Sequence, residues 1–261
     1  MSGYRPKKRL GQNFLVDESI SQKIVQALDL KPGDQVVEIG PGRGALTDYL
    51  LQAECLVTAI EFDRDLVPML KARFKKHPNL NLIAADFLKV TSSNLPTKAK
   101  FIGNLPYNIS TAIIEKLYEF KEILTCAVFT VQAEVAQRLI SPPGNRDFGS
   151  LTIIMGIGFT ITELFKIPPR AFKPSPKVNS SVIQLIPFDH KIADFENFKA
   201  FVRGCFIHKR KTLANSMESG LNIPKQLCED MIKGIGYDLK IRAEQLTITD
   251  YTRLFNLWRS D

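Results

Sequence analysis

The sequence predicts an α/β domain built on a mostly parallel sheet, followed by a small all-helical domain. Three observations predict it. Short β-rich runs alternate with helical periodicity over most of the chain. Four of those runs end on a polar residue or a glycine loop, at Glu38 and Gly40, Glu61, Asp86 and Asn104, and in a parallel sheet such ends share one edge. After Pro187 the pattern turns to helices alone, so a larger domain is expected over residues 1–188 and a helical one over 189–261.

Composition narrows the class. Hydrophobic residues make up 44% and charged residues 24%, which suits a packed core and argues against disorder. The net charge of +8 points to a polyanionic partner. Cys55, Cys126, Cys205 and Cys228 are widely spaced with no Cys-x-x-Cys, and the histidines lie far apart. Neither a metal site nor a disulfide framework is suggested, which fits a reducing, cytoplasmic setting. No apolar run has membrane-spanning length and no secretory signal is present, so no membrane partner is expected.

The chain starts with a basic stretch in which Lys7, Lys8 and Arg9 stand without an acid, either a solvated tail or a phosphate-contacting arm. Asp17 is placed to cap a helix carrying Ile20, Ile24, Val25 and Leu28, and Lys31-Pro32-Gly33-Asp34 reads as a turn. Gln35 to Ile39 is a strand running into Gly40-Pro41-Gly42-Arg43-Gly44 and then a helix with Leu46, Tyr49, Leu50 and Leu51. Strand, glycine turn and helix form the nucleotide-binding arrangement of Rossmann-like folds. The spacing is Gly-x-Gly-x-Gly, with Glu38 two residues ahead, and departs from the dinucleotide pattern. It suits a ligand without a pyrophosphate, whose cationic amino-acid part takes a nearby carboxylate. Leu56 to Phe62 is the second strand. Its Glu61 lies about twenty residues past the glycine loop, where a carboxylate binds ribose hydroxyls. Leu66 to Phe74 reads as helix and Leu80 to Ala85 as the third strand; Asp86 is placed to accept from an adenine amino group, with Phe87 beside the ring.

Ala99 to Gly103 reads as the end of a strand leading into Asn104-Leu105-Pro106-Tyr107. This tetrad suits methylation of an exocyclic amine. Such an amine is a poor nucleophile because its lone pair is delocalised into the base. Two acceptors on its N–H groups, the Asn104 side-chain oxygen and the Leu105 carbonyl held extended by Pro106, favour a pyramidal nitrogen. Tyr107 offers a stacking face. Ser110 is expected to cap a helix with Ile113, Ile114, Leu117 and Tyr118. Cys126 to Val131 is the fifth strand and Glu134 to Ile140 a helix; Ser150 to Thr162, a mixed apolar run, is expected to be strand. The proline-rich stretch Pro168 to Val178 is read as a stiff loop presenting Phe172 over the site, so that Phe172 and Tyr107 clamp the base; Ser181 to Ile186 is the final strand. In the helical domain Phe195, Phe198, Phe201 and Val202 form one apolar face, Pro224 opens a helix, and Thr249 or Asp250 caps the last one. Arg203 with Lys209, Arg210 and Lys211 forms a basic cluster read as phosphate-binding.

Taken together, the stretches Lys8–Leu15, Val37–Gly44, Ala59-Ile60-Glu61, Ala85-Asp86-Phe87, Gly103–Ser110 and Phe172–Val178 resemble the ribosomal RNA adenine-N6 dimethyltransferase family, in order and over nearly the whole chain. The resemblance implies S-adenosylmethionine as methyl donor, with Asn13, Leu15, Gly40, Glu61, Asp86 and Asn104 lining its site. It also implies two methyl transfers to each of two adjacent adenosines near the 3′ end of 16S rRNA in the immature small subunit. A monomer is expected. The family's usual Gln-Arg-Arg-Lys stands here as His208-Lys209-Arg210-Lys211, with charge kept. The rival readings are a 23S rRNA adenine methyltransferase of the antibiotic-resistance type and a small-subunit assembly factor without catalysis.

Overall fold

The computed structural model describes residues 4, 6–7, 10–189, 192 and 194–260. The chain divides into two compact units, residues 1–136 with 160–187 and residues 137–159 with 188–261.

The first unit opens with β1 (Phe14–Leu15) and α1 (Glu18–Gln26). Asp17 caps α1 as the sequence suggests, its carboxylate accepting from the Ile20 N–H, and Ile24 and Val25 on one face are buried. The main strands follow: β2 (Gln35–Ile39), β3 (Leu56–Glu61), β4 (Leu80–Ala84), β5 (Ala99–Asn104), β6 (Leu124–Gln132), β7 (Phe159–Ile167) and, after the two-residue β8 (Phe172–Lys173), β9 (Ser180–Pro187). They form one sheet in the order β4-β3-β2-β5-β6-β9-β7, while β1 pairs with β8 in a second, two-stranded sheet. The pairs β3–β4, β2–β3, β2–β5 and β5–β6 are parallel, and β9 returns antiparallel to β6. The helices α2 (Thr47–Gln52), α3 (Leu66–Arg73) and α4 (Ser110–Lys116) connect the parallel strands. Ser110 is the first residue of α4 and not its cap; its hydroxyl donates to the Tyr107 carbonyl at 3.2 Å.

Gly103 shows how closely two central strands meet: a Cβ there would lie 2.5 Å from the Ile39 carbonyl oxygen of β2. The glycine lets β5 approach β2 one residue before Asn104.

The boundary at residue 136 falls within α5 (Ala133–Ile140), and the second unit then carries α6 (Ser150–Gly156), α7 (Phe195–Cys205), α8 (Leu213–Leu221), α9 (Lys225–Gly234) and α10 (Ile248–Ser260). The strand expected over Ser150 to Thr162 is instead α6 followed by β7. Leu151, Ile153, Ile154 and Met155 are all buried, so the run carries no period that separates helix from strand. Gly156 packs against Ile248 of α10, which is why residues 137–159 group with the helical unit and not with the first domain. Phe198 and Phe201 meet Phe255 edge-on at 5.3 and 5.6 Å. Gly204 and Gly220 bring α7 and α8 into backbone contact, since a Cβ on Gly220 would lie 2.2 Å from the Gly204 carbonyl oxygen. The cap of α10 is Thr247, whose hydroxyl accepts from the Asp250 N–H while Asp250 accepts from the Thr247 N–H.

Gly103→Ala is expected to destabilise the first unit by ~1–3 kcal/mol, because the clash is with backbone and no side chain can yield. Urea denaturation measures it, and an unchanged midpoint would mean that β2 and β5 are free to separate.

Candidate active site

Strand order reverses between β2 and β5, so the carboxyl ends of these neighbours diverge and leave a crevice. A cavity of about 250 Å³ occupies it. Its wall includes Asn13, Leu15, Gly40, Gly42, Glu61, Asp86, Phe87, Asn104, Leu105 and Pro106, which the sequence singled out. It also includes Arg43, Phe62 and Ile109, which it did not. Phe62 is 59% exposed directly after Glu61, and an apolar residue behind a strand-end acid is the signal that could have marked it. Phe87 touches the cavity but is otherwise buried against Phe120, ring centroids 5.4 Å apart. Asp86 accepts from the Leu88 N–H at 3.0 Å.

The two acids near the glycine loop differ. Glu61 stands at the wall, where its carboxylate accepts from the Gly42 N–H at 3.0 Å and the Asp63 N–H at 2.8 Å. Burial raises its pKa against the pull of those two donors. Glu38 does not reach the cavity wall, contrary to its expected place beside a cationic ligand group. It is 1% exposed and takes the Thr47 hydroxyl of α2 at 2.7 Å, tying the helix after the glycine loop to β2.

Lys7 of the basic N-terminal stretch is engaged with acids of the same unit. The Lys7 ammonium contacts Asp63 at 2.5 Å and Asp65 at 2.7 Å. Asp63, 3% exposed, also accepts from the Tyr4 hydroxyl at 2.5 Å and the Gln12 amide at 3.0 Å. Burial raises the Asp63 carboxyl, but the Lys7, Tyr4 and Gln12 donors outweigh it and hold it at about 2. Arg43 lies over the Phe14 ring at 4.9 Å and donates to the Tyr4 carbonyl at 3.1 Å. Residues Leu10 to Leu15 are thereby held along the cavity. Lys7 thus serves as a clasp, not as the free phosphate contact the sequence suggested; Lys8 and Arg9 lie outside the described residues.

The tetrad sits at the end of β5. The Asn104 side-chain NH2 donates to the Asn13 carbonyl at 2.8 Å, which orients the amide and leaves its oxygen as the acceptor end. The Leu105 N–H donates to the Thr130 carbonyl at 3.1 Å, and Leu105 is buried. The Tyr107 hydroxyl is bonded to the Ser180 hydroxyl at 2.5 Å. Phe172 departs from expectation. It is 3% exposed, packs among Phe14, Leu15, Ile167 and Val182, and does not line the cavity. Its backbone pairs with Leu15, which positions the segment carrying the Asn13 carbonyl. The ring is held in the core by that pairing and is not presented as a second stacking face.

In the helical unit Arg203 lies in the last turn of α7, and Lys209, Arg210 and Lys211 are exposed in the connection to α8. Among the described residues no group of His, Cys, Asp or Glu could hold a metal ion, and no helix is long and apolar enough to cross a membrane.

Burial pushes Glu38 from its ordinary 4.5 up to about 8, against the pull of the Thr47 hydroxyl. The folded state therefore favours the protonated acid, and the stability this confers is full below pH 4.5 and lost as pH rises through about 8. Glu38→Gln is expected to flatten that part of the melting temperature–pH profile; an unchanged slope would show that Glu38 is not the group responsible.

The family model described as Ribosomal RNA adenine dimethylase matches residues 3–260. A protein of Pseudomonas syringae pv. tomato, named Ribosomal RNA small subunit methyltransferase A, is 38% identical over 257 residues, covering 96% of this chain and 94% of that one. The Thermotoga maritima protein of the same name is 40% identical over 259 residues, covering 98% and 87%. Among solved structures, a dimethyladenosine transferase from Plasmodium falciparum superposes with a TM-score of 0.81 at 28% identity, covering 95% of this chain and 98% of that one. The 23S rRNA methyltransferase ErmE gives 0.68 at 28% identity, covering 94% and 99%. With the glycine loop, Glu61, Asp86 and Asn104 to Pro106 lining one crevice, the chain belongs to the ribosomal RNA adenine dimethylase family, enzymes of Rossmann-like fold that use S-adenosylmethionine.

Proposed function

We propose that this enzyme dimethylates N6 of two adjacent adenosines near the 3′ end of 16S rRNA, acting as a cytoplasmic monomer on the immature small subunit. The observation that carries the chemistry is the Asn104 amide donating to the Asn13 carbonyl. With its NH2 engaged there, Asn104 has its oxygen to offer to an incoming N6–H, and the Leu105 carbonyl takes the other. The curated relatives that match over nearly the whole chain are named for the small subunit, which favours that substrate.

The residues present fit the donor. Glu61, at the wall and buried, suits ribose hydroxyls. Gly40 and Gly42, with φ of 67° and 59°, keep the loop backbone close to the cavity. Asp86 and Phe87, both at the cavity wall, are assigned to an adenine edge and face. When bound, S-adenosylmethionine supplies an electrophilic methyl on a sulfonium. The chain's part is to hold N6 pyramidal at Asn104 and Leu105 and to support the base on Tyr107, which requires the adenine to leave its stack. No strong base is needed, because N6 becomes acidic once alkylated and its proton leaves to water. Exposed Lys209, Arg210 and Lys211, with Arg203, are assigned to phosphate contacts.

Labelled methyl transfer to immature small subunits tests the reading, with mature subunits, 23S rRNA and DNA as controls. Dimethyladenosine in immature small subunits alone is the expected result. Label in 23S rRNA would select the resistance-type activity, and tight particle binding without label would leave an assembly factor. Asn104→Ala is expected to abolish transfer while leaving donor affinity within a few-fold, about 1 kcal/mol. Near-normal turnover in that variant would remove Asn104 from the chemistry.

A further inference from the structure

We propose that Ser180 is a positioning residue for methyl transfer, setting the plane of the Tyr107 ring. The inference rests on the reading of Tyr107 as the platform for the target base. Ser180 opens β9 and is fully buried, at 0% exposure. It is registered opposite Gln132 at the end of β6, and Asn104 is registered opposite Thr130 on the same strand. Residues 130 and 132 share a face by the two-residue period, and each cross-strand partner follows its neighbour's face. Asn104 and Ser180 therefore flank β6 on one side of the sheet, two strand spacings or roughly 10 Å apart laterally. Tyr107 leaves the loop after Asn104 and reaches across to Ser180, where the two hydroxyls meet at 2.5 Å.

A tyrosine ring anchored only at its backbone turns about two torsions. The Ser180 bond removes that freedom, and the Tyr107 carbonyl is itself held by the Ser110 hydroxyl. The ring is thus fixed at both ends before any base arrives, so less ordering is left to the binding step. Neither Ser180 nor Tyr107 lines the donor cavity, so this device acts on the base and not on S-adenosylmethionine.

The test is a double-mutant cycle of Ser180→Ala and Tyr107→Phe, read as kcat/KM for immature small subunits and as S-adenosylhomocysteine affinity by calorimetry. Each single variant is expected to lose roughly 3- to 10-fold in kcat/KM, as for one neutral hydrogen bond. The double variant is expected to lose no more than either, with S-adenosylhomocysteine affinity unchanged throughout. Wild-type kcat/KM in Ser180→Ala, or losses that multiply in the double variant, would overturn the assignment. Tyr107→Phe removes the same bond without touching β9, so it carries the test if Ser180→Ala folds poorly. Tyr107→Ala separates the two readings. Full activity there would defeat the platform role itself, whereas loss there beside a wild-type Ser180→Ala would defeat only Ser180.

Discussion

Two residue pairs, Phe14 with Lys173 and Leu15 with Phe172, hold the N-terminal segment against the proline-rich stretch, and the site depends on them. A strand of two residues is too short to persist on its own hydrogen bonds. Its stability comes from the burial of Phe14, Leu15 and Phe172, on the order of 1.5–3 kcal/mol for each side chain. The Val16 N–H extends the contact to the Ala171 carbonyl at 2.9 Å. Because Asn13 immediately precedes this strand, the pairing sets where its carbonyl lies, and that carbonyl orients Asn104. The orientation of the Asn104 amide is thus inherited from apolar packing on the opposite side of a β ladder.

Electrostatics around the cavity follow a similar logic of assigned partners. Glu38 and Glu61 lie in the carboxyl-terminal halves of adjacent parallel strands, yet one is enclosed with a threonine hydroxyl and the other takes two backbone N–H groups at the wall. Their different surroundings, not their identity, decide which can meet a ligand. Asp63 gathers three donors, from Tyr4, Lys7 and Gln12, so the charge of Lys7 is spent inside the protein. In the helical unit Lys209, Arg210 and Lys211 are three exposed cations in succession.

Much of the architecture was legible because period and punctuation agreed. The glycine loop, the acid at each strand end and the Asn104 tetrad each followed a β-rich run, and the sheet brought them to one edge. What stayed hidden depended on partners distant in sequence. Nothing near Lys7 announces an aspartate 56 residues away. Nothing in the proline-rich stretch shows that Phe172 turns inward to meet Leu15. Leu151 to Met155 escaped for a different reason, since a helix buried on every face has the same apolar run as a buried strand. Ser110 and Thr247 show the usual slip of a residue or two at helix ends, where the hydrogen bonds actually made decide the boundary.

The distribution of site residues along the chain also bears on biosynthesis. Asn104 is oriented from residue 13, that segment is tethered by residues 172 and 173, and the Tyr107 hydroxyl is held by residue 180. The β6–β9 pairing that carries Ser180 joins Ala127–Gln132 to strand residues 180–185, near the C-terminal end of the first unit. A nascent chain that has emerged only as far as β6 would hold the glycine loop and the tetrad but not the mouth of the site. Synthesised from its N-terminus, the chain completes these contacts of Asn104, Asn13 and Tyr107 only once residues 172 to 180 have emerged.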